Sequence, residues 1–195
     1  METLRWLAAA SVLLIESIII LRMVAFHDSK IQQLLKDLST LPDAQKPYSF
    51  ARTQLLWWTI IICSCFSICY AFTGQFEGIL NQSCLILLGL SAGTTATGRV
   101  IDNIEEANRA IVRHQDTQKN DHFWIDILSD NSGVSVHRFQ ALLFNLLFGI
   151  IFIINFISEN GQKLPSFGPF ELGLMGISSG SYLMLKFNEN LEKKE

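Results

Sequence analysis

Glu16 stands inside a long apolar run, between Ile15 and Ser17. An ionisable side chain there is costly and should face a partner, a cavity or a water path. A ring of such carboxylates in an assembly would favour cations; a hydrogen-bonded structural Glu is the competing reading. A second set is basic: Lys30, Lys36, Arg109, Arg113, His114 and Lys119 fall in two polar segments. Gathered at a symmetry axis, they would form an anion or nucleotide site, with Phe123 and Trp124 available to stack on bases. Solvated faces explain the same charges. Asp102, Glu105, Glu106 and Asp116 on the same stretch partly cancel them, and Glu105 can pair with Arg109 at i, i+4.

A third set carries hydroxyls. Ser91, Thr94 and Thr95, with their counterparts Ser178 and Ser181, read as a polar path, although hydroxyls in a helix also bond their own backbone. Beside them, Gly89 and Gly93, and again Gly176 and Gly180, are one turn apart, the spacing that lets helices approach closely. Cys63, Cys65, Cys69 and Cys84 have no His or carboxylate at ligand spacing, so they read as small core residues. The chain contains no Walker loop, H-E-x-x-H or dinucleotide turn, and its two G-x-S-x-G runs, Gly89 to Gly93 and Gly176 to Gly180, lie inside apolar blocks and not at the strand-to-helix elbow of a hydrolase. A non-enzyme without metal or cofactor is expected.

The elements that must position these residues are membrane helices. Of 195 residues, 49% are hydrophobic and only 17% charged, against roughly 25% charged in soluble proteins. The apolar residues come in blocks close to the ~20 residues that cross a bilayer. Five such blocks run from Leu4 to Phe26, Thr53 to Phe72, Ile79 to Thr97, Ala141 to Ile157 and Phe170 to Phe187. The third and fifth are diluted by Ser, Thr and Gly. The first is too long and too poorly bounded for a cleaved signal, and is expected to stay as an anchor.

With the N-terminus outside and the C-terminus in the cytoplasm, all but Arg5 and Lys163 of the 15 basic residues lie on the cytoplasmic side. Arg52 and Arg138 then snorkel to headgroups, and Trp57 and Trp58 join an aromatic belt. The expected organisation is helix 1–26, amphipathic segment 27–51, helix pair 52–97, cap segment 98–137, helix pair 138–187 and tail 188–195. Within the amphipathic segment, Ser29 to Ser39 reads as a helix ended by Pro42 and Pro47. The cap, about 60 residues in all, is too small to bury much core alone, so a homo-oligomer is expected.

The two helix pairs look like copies of each other. Arg52-Thr53-Gln54 parallels Arg138-Phe139-Gln140, 86 residues on (52 to 138), and Leu88-Gly89-Leu90-Ser91-Ala92-Gly93 parallels Met175-Gly176-Ile177-Ser178-Ser179-Gly180, 87 on (89 to 176). The copies run parallel, which suits a bundle about one axis better than an inverted-repeat transporter. The fold class is thus an all-α membrane protein of about five spanning helices, with a parallel two-helix duplication and a small helical cytoplasmic cap.

At Arg52-Thr53-Gln54-Leu55-Leu56-Trp57-Trp58 and Leu87-Leu88-Gly89-Leu90-Ser91-Ala92-Gly93-Thr94-Thr95, the chain resembles a group of bacterial multispan inner-membrane proteins, over roughly residues 48–190. Some of that group look like channel effectors of anti-phage defence, such as the Hailong systems. There a nucleotidyltransferase makes a DNA oligomer that holds an oligomeric channel shut. The resemblance implies an inner-membrane, ligand-gated ion channel, in contact with membrane lipid and a single-stranded DNA or nucleotide-oligomer ligand. It carries over no ligand residue. A small transporter subunit and a non-conducting scaffold are the other readings.

Overall fold

The computed structural model describes residues 2–25, 32–108, 111–117, 122–130 and 133–190. The described residues are 76% helical and form seven α-helices. In chain order these are α1 (Glu2–Ala25), α2 (Phe50–Thr73), α3 (Gln82–Ala107), α4 (His114–Thr117), α5 (Phe123–Leu128), α6 (Val136–Ser158) and α7 (Pro169–Glu189). A small hairpin, β1 (Ser129–Asp130) with β2 (Gly133–Val134), joins α5 to α6. Four helices, α1, α2, α3 and α6, are long and apolar enough to cross a membrane. The fifth expected span, α7, has 21 residues, roughly 30 Å of helix. Its three glycines, Glu171, Lys186 and Glu189 dilute its apolar character.

Each long helix starts and stops for a local reason. Asn81 caps α3, its side chain accepting from the Cys84 amide at 3.0 Å, and Pro169 opens α7 at a position where no backbone donor is needed. Gly74 ends α2 in the left-handed region (φ 68°), its N–H donating to the Tyr70 carbonyl. The core lies where α2, α3, α6 and α7 meet: Trp58, Ile62, Cys65, Leu87, Phe152 and Met175 belong to it. Cys65, Cys69 and Cys84 are buried, and Cys63 is exposed.

Trp58 is fully buried in that core, its indole N–H donating to Asn145 Oδ1 at 2.8 Å, so it does not sit in an interfacial belt. Trp57 reaches the Asn145 carbonyl of the same facing helix at 3.1 Å. A methyl placed on Gly149 would come 2.6 Å from the Trp57 indole nitrogen, so only glycine allows this approach. At the opposite end of the bundle, the Asn81 amide donates to the carbonyls of Leu164 and Pro165, tying the two connecting loops together. α1 lies antiparallel along α2, with Trp6 edge-on to Phe72 and Glu16 beside Ser64.

The segment before α2 departs from the sequence reading. Over its described part, an amphipathic helix is replaced by two 3-10 turns, Gln32–Leu34 and Asp43–Gln45, and a bridge from Lys36 to Tyr48. Two backbone bonds close this loop, Asp37 N–H to the Pro47 carbonyl at 2.8 Å and Ser49 N–H to the Leu35 carbonyl at 2.7 Å. Long-range pairing of Lys36 and Asp37 has outweighed local helical periodicity. By contrast, α3 continues past its apolar part to Ala107, as the spacing of Val100, Ile104 and Ala107 requires.

Candidate functional site

The charged residues converge at one end of the bundle, where α3 and α7 finish and α2 and α6 begin. Lys186, near the end of α7, is 5% exposed. Its Nζ lies 3.0 Å from Asp102 Oδ1 on α3 and 3.2 Å from Asp37 Oδ2 in the preceding loop. Asp102 is 2% exposed and also accepts from Gln115 Nε2 at 3.1 Å. Asn190 donates to Glu105 Oε2 at 2.9 Å and to Gln115 Oε1 at 3.3 Å, and accepts from the His114 backbone N–H at 2.9 Å. Arg138, at the start of α6, pairs with Glu189 and stacks over the Tyr182 ring. Its side chain is largely covered there, engaged with α7.

This network is costly to build. Charges removed from water must be matched by close partners and further hydrogen bonds, and loss of one partner leaves the other uncompensated. Around Asp37, burial acts to raise the carboxyl, but the Lys186 ammonium and the Leu38 amide outweigh it and hold it below the ordinary carboxylate value. Burial likewise opposes the Asp116 carboxylate, and the Arg113 guanidinium and the Thr40 amide prevail to keep it low.

The expected ligand cations divide accordingly. Lys36 is buried, donating to the carbonyls of Asp43 at 2.7 Å and Ala44 at 3.0 Å. Arg113 is 3% exposed, bonded to Asp116 at 2.7 Å and to the Asp102 carbonyl at 3.3 Å. Both charges serve internal contacts. His114 begins α4, half-buried beside Asn190. Lys30, Arg109 and Lys119 lie outside the described residues. Of the two aromatic candidates, Phe123 packs edge-on to Tyr48 at 5.1 Å, and Trp124 is exposed.

The expected path residues are also engaged. Ser91 donates to the Leu87 carbonyl at 2.8 Å and Thr94 to Leu90 at 2.7 Å, each within its own helix. Thr95 reaches the carbonyls of Ser91 and, on α2, Ala51. Ser178 is buried and Ser181 half-buried, and the neighbouring Ser179 accepts from Gln54 at 3.2 Å. Glu16 accepts a hydrogen bond from Ser64 between α1 and α2. The glycine pairs face outward: added methyl groups at Gly89, Gly93 and Gly180 would meet nothing within 4 Å, and at Gly176 only Leu90 at 3.9 Å.

No family model matches this chain, and neither a curated protein nor a solved structure matches it. The site therefore stands on its own geometry. Beside the network lies a cavity of about 760 Å³, bounded by α2, α3 and the preceding loop. Lys186, Asp37 and Asp102 form one part of its wall, and Arg52 and Arg99 another. The sequence reading missed Asp37, Asp102 and Lys186 as a set. A signal was there: Lys186 falls within the fifth apolar block, where a charge demands a named partner just as Glu16 does.

Proposed function

We propose that this chain is the subunit of a homo-oligomeric ion channel of the bacterial inner membrane, gated by an anionic ligand at its cytoplasmic cap, and not an enzyme. Five helices span, with α7 the fifth, N-terminus outside and C-terminus inside. The duplication is supported by helix positions: α2 and α6 begin at 50 and 136, α3 and α7 at 82 and 169, the same offsets that relate the repeated motifs.

The observation that carries the gating part is the buried Lys186–Asp37–Asp102 cluster. It ties the ends of the two returning helices to the loop of the cap. Hydrophobic contacts would hold a static joint as well, so a charged joint suits a connection that must change state. Displacing the cap loop would strip Asp37 from Lys186 and unbalance α3 and α7 together. The outward glycine faces of α3 and α7 support assembly, because small residues drive helix association in lipid. With the hydroxyls of Ser91 and Thr94 turned to their own helix, the conduction path runs between subunits. Following the resemblance, the ligand is a nucleotide or DNA oligomer and the setting is anti-phage defence.

Purified protein in liposomes tests the reading. Without ligand, an assembly of defined mass should pass cations, and a labelled oligonucleotide should bind it and reduce the flux. The internal engagement of the hydroxyls, Lys36 and Arg113 favours a non-conducting scaffold as the second reading. Intact oligomers that pass no ions would establish that one.

A further inference from the structure

The cavity between α2 and α3 changes character along its length. Arg52 lies in the first turn of α2, and Leu55, Leu56 and Thr59 follow over the next two turns, roughly 10 Å of helix. On α3, Arg99 occupies the equivalent polar level, with Ala92 and Ala96 toward the apolar side. Two cations therefore stand over an apolar trough.

Those two are the unspent charges of the lining. Lys186 is matched by Asp37 and Asp102. Arg99 is exposed and has no hydrogen-bond or ion-pair partner among the described residues. Among the described residues, Arg52 makes only a long contact of 3.4 Å to the Gln33 carbonyl. The sequence duplication sharpens the contrast: Arg138, which corresponds to Arg52, is paired with Glu189, and Lys186, which corresponds to Arg99, is buried against Asp102. The second repeat closes its cations internally; the first leaves them over a cavity.

We propose that this cavity holds an anionic phospholipid, its phosphate bridged by Arg52 and Arg99 and one acyl chain lying along Leu55, Leu56 and Ala92. Guanidinium groups match phosphate with paired donors, and basic pockets between spanning helices at the headgroup level are suited to acidic lipids. The volume falls within the roughly 300–1,000 Å³ of small-molecule sites, enough for a headgroup and the first part of a chain. The assignment rests on α2 and α3 spanning the membrane, and neither on ion conduction nor on the gating ligand.

The test is native mass spectrometry of the full chain, delipidated in mild detergent and titrated with phosphatidylglycerol, phosphatidylcholine or glycerol phosphate. Phosphatidylglycerol should bind preferentially over phosphatidylcholine. The Arg52→Gln/Arg99→Gln variant should lose that preference by about tenfold or more. Ala96→Trp, which keeps both arginines and fills the trough, should weaken phosphatidylglycerol binding as well, while circular dichroism confirms that both variants remain folded. Equal binding of the two lipids by wild type, or unchanged preference in folded variants, would overturn the proposal. Glycerol phosphate binding as tightly as the lipid would assign the arginines to a soluble phosphoester and overturn the lipid assignment. Alkaline carbonate extraction separates this from the membrane reading: a chain released from membranes refutes both, whereas a retained chain without lipid preference refutes only the site.

Discussion

Lys186 is the residue on which most of the polar chemistry turns. Lys186→Met leaves the buried Asp102 and the half-buried Asp37 facing each other without a cation, and should cost about 3–5 kcal/mol of stability in detergent, read as a lowered thermal midpoint. Lys186→Met combined with Asp102→Leu and Asp37→Leu should recover most of that loss, since an apolar replacement of a whole buried ion set is close to neutral. If the single variant melts like wild type, the network is not formed. Acid should act on the same groups. Asp37 and Asp116 are held below their ordinary value in the folded chain, so they contribute stability above the unfolded carboxylate range, and it is lost as pH falls through their folded values. Their contribution to the thermal midpoint should be present above about pH 5 and lost below about pH 4. Arg113→Gln should reduce that drop by removing the partner of Asp116. This set was only partly legible beforehand. Glu16 stood out because its neighbours are apolar, but Asp37 reads as a polar loop residue until the fold brings Lys186, 149 positions away, against it.

The helices were the most legible elements, because block length and apolar content report directly on burial in lipid. α2 and α6 cover the expected blocks, and α3 starts three residues late, at Gln82, and runs longer at its polar end. The segment before α2 was misread, since Leu34, Leu35 and Leu38 share a helical spacing that carries no information on the distant partners that claim Lys36 and Asp37. Trp58 was misjudged for a related reason: its position at a span end suggests the interface, and only Asn145 on α6 reveals why it turns inward. Two substitutions test the elements. Gly149→Val should displace Trp57 and destabilise the α2–α6 contact by about 1–3 kcal/mol, the usual cost of overpacking; an unchanged melting profile would mean the helices are not in close contact. Gly93→Leu points into open space within one chain. It should leave folding and insertion intact but lower the oligomer mass in detergent. An unaltered mass would remove this face of α3 from the subunit contact.

For the molecule as a whole, the parallel arrangement of two helix pairs around a shared core, with α1 laid along α2, leaves polar groups concentrated at one end and apolar surface along the sides. That distribution fits a membrane assembly whose state is set from one face. Reporter fusions at Gln75 and Gln162 should read as outside and one at Ala44 as cytoplasmic; a cytoplasmic signal at Gln75 would invert the topology. The most direct test of the central claim is cation flux through proteoliposomes carrying the ligand-free wild-type assembly, with its mass measured on the same preparation. The account expects an oligomer that conducts, and a Gly93→Leu protein that inserts but does not. Wild-type oligomers as impermeable as empty liposomes would contradict it.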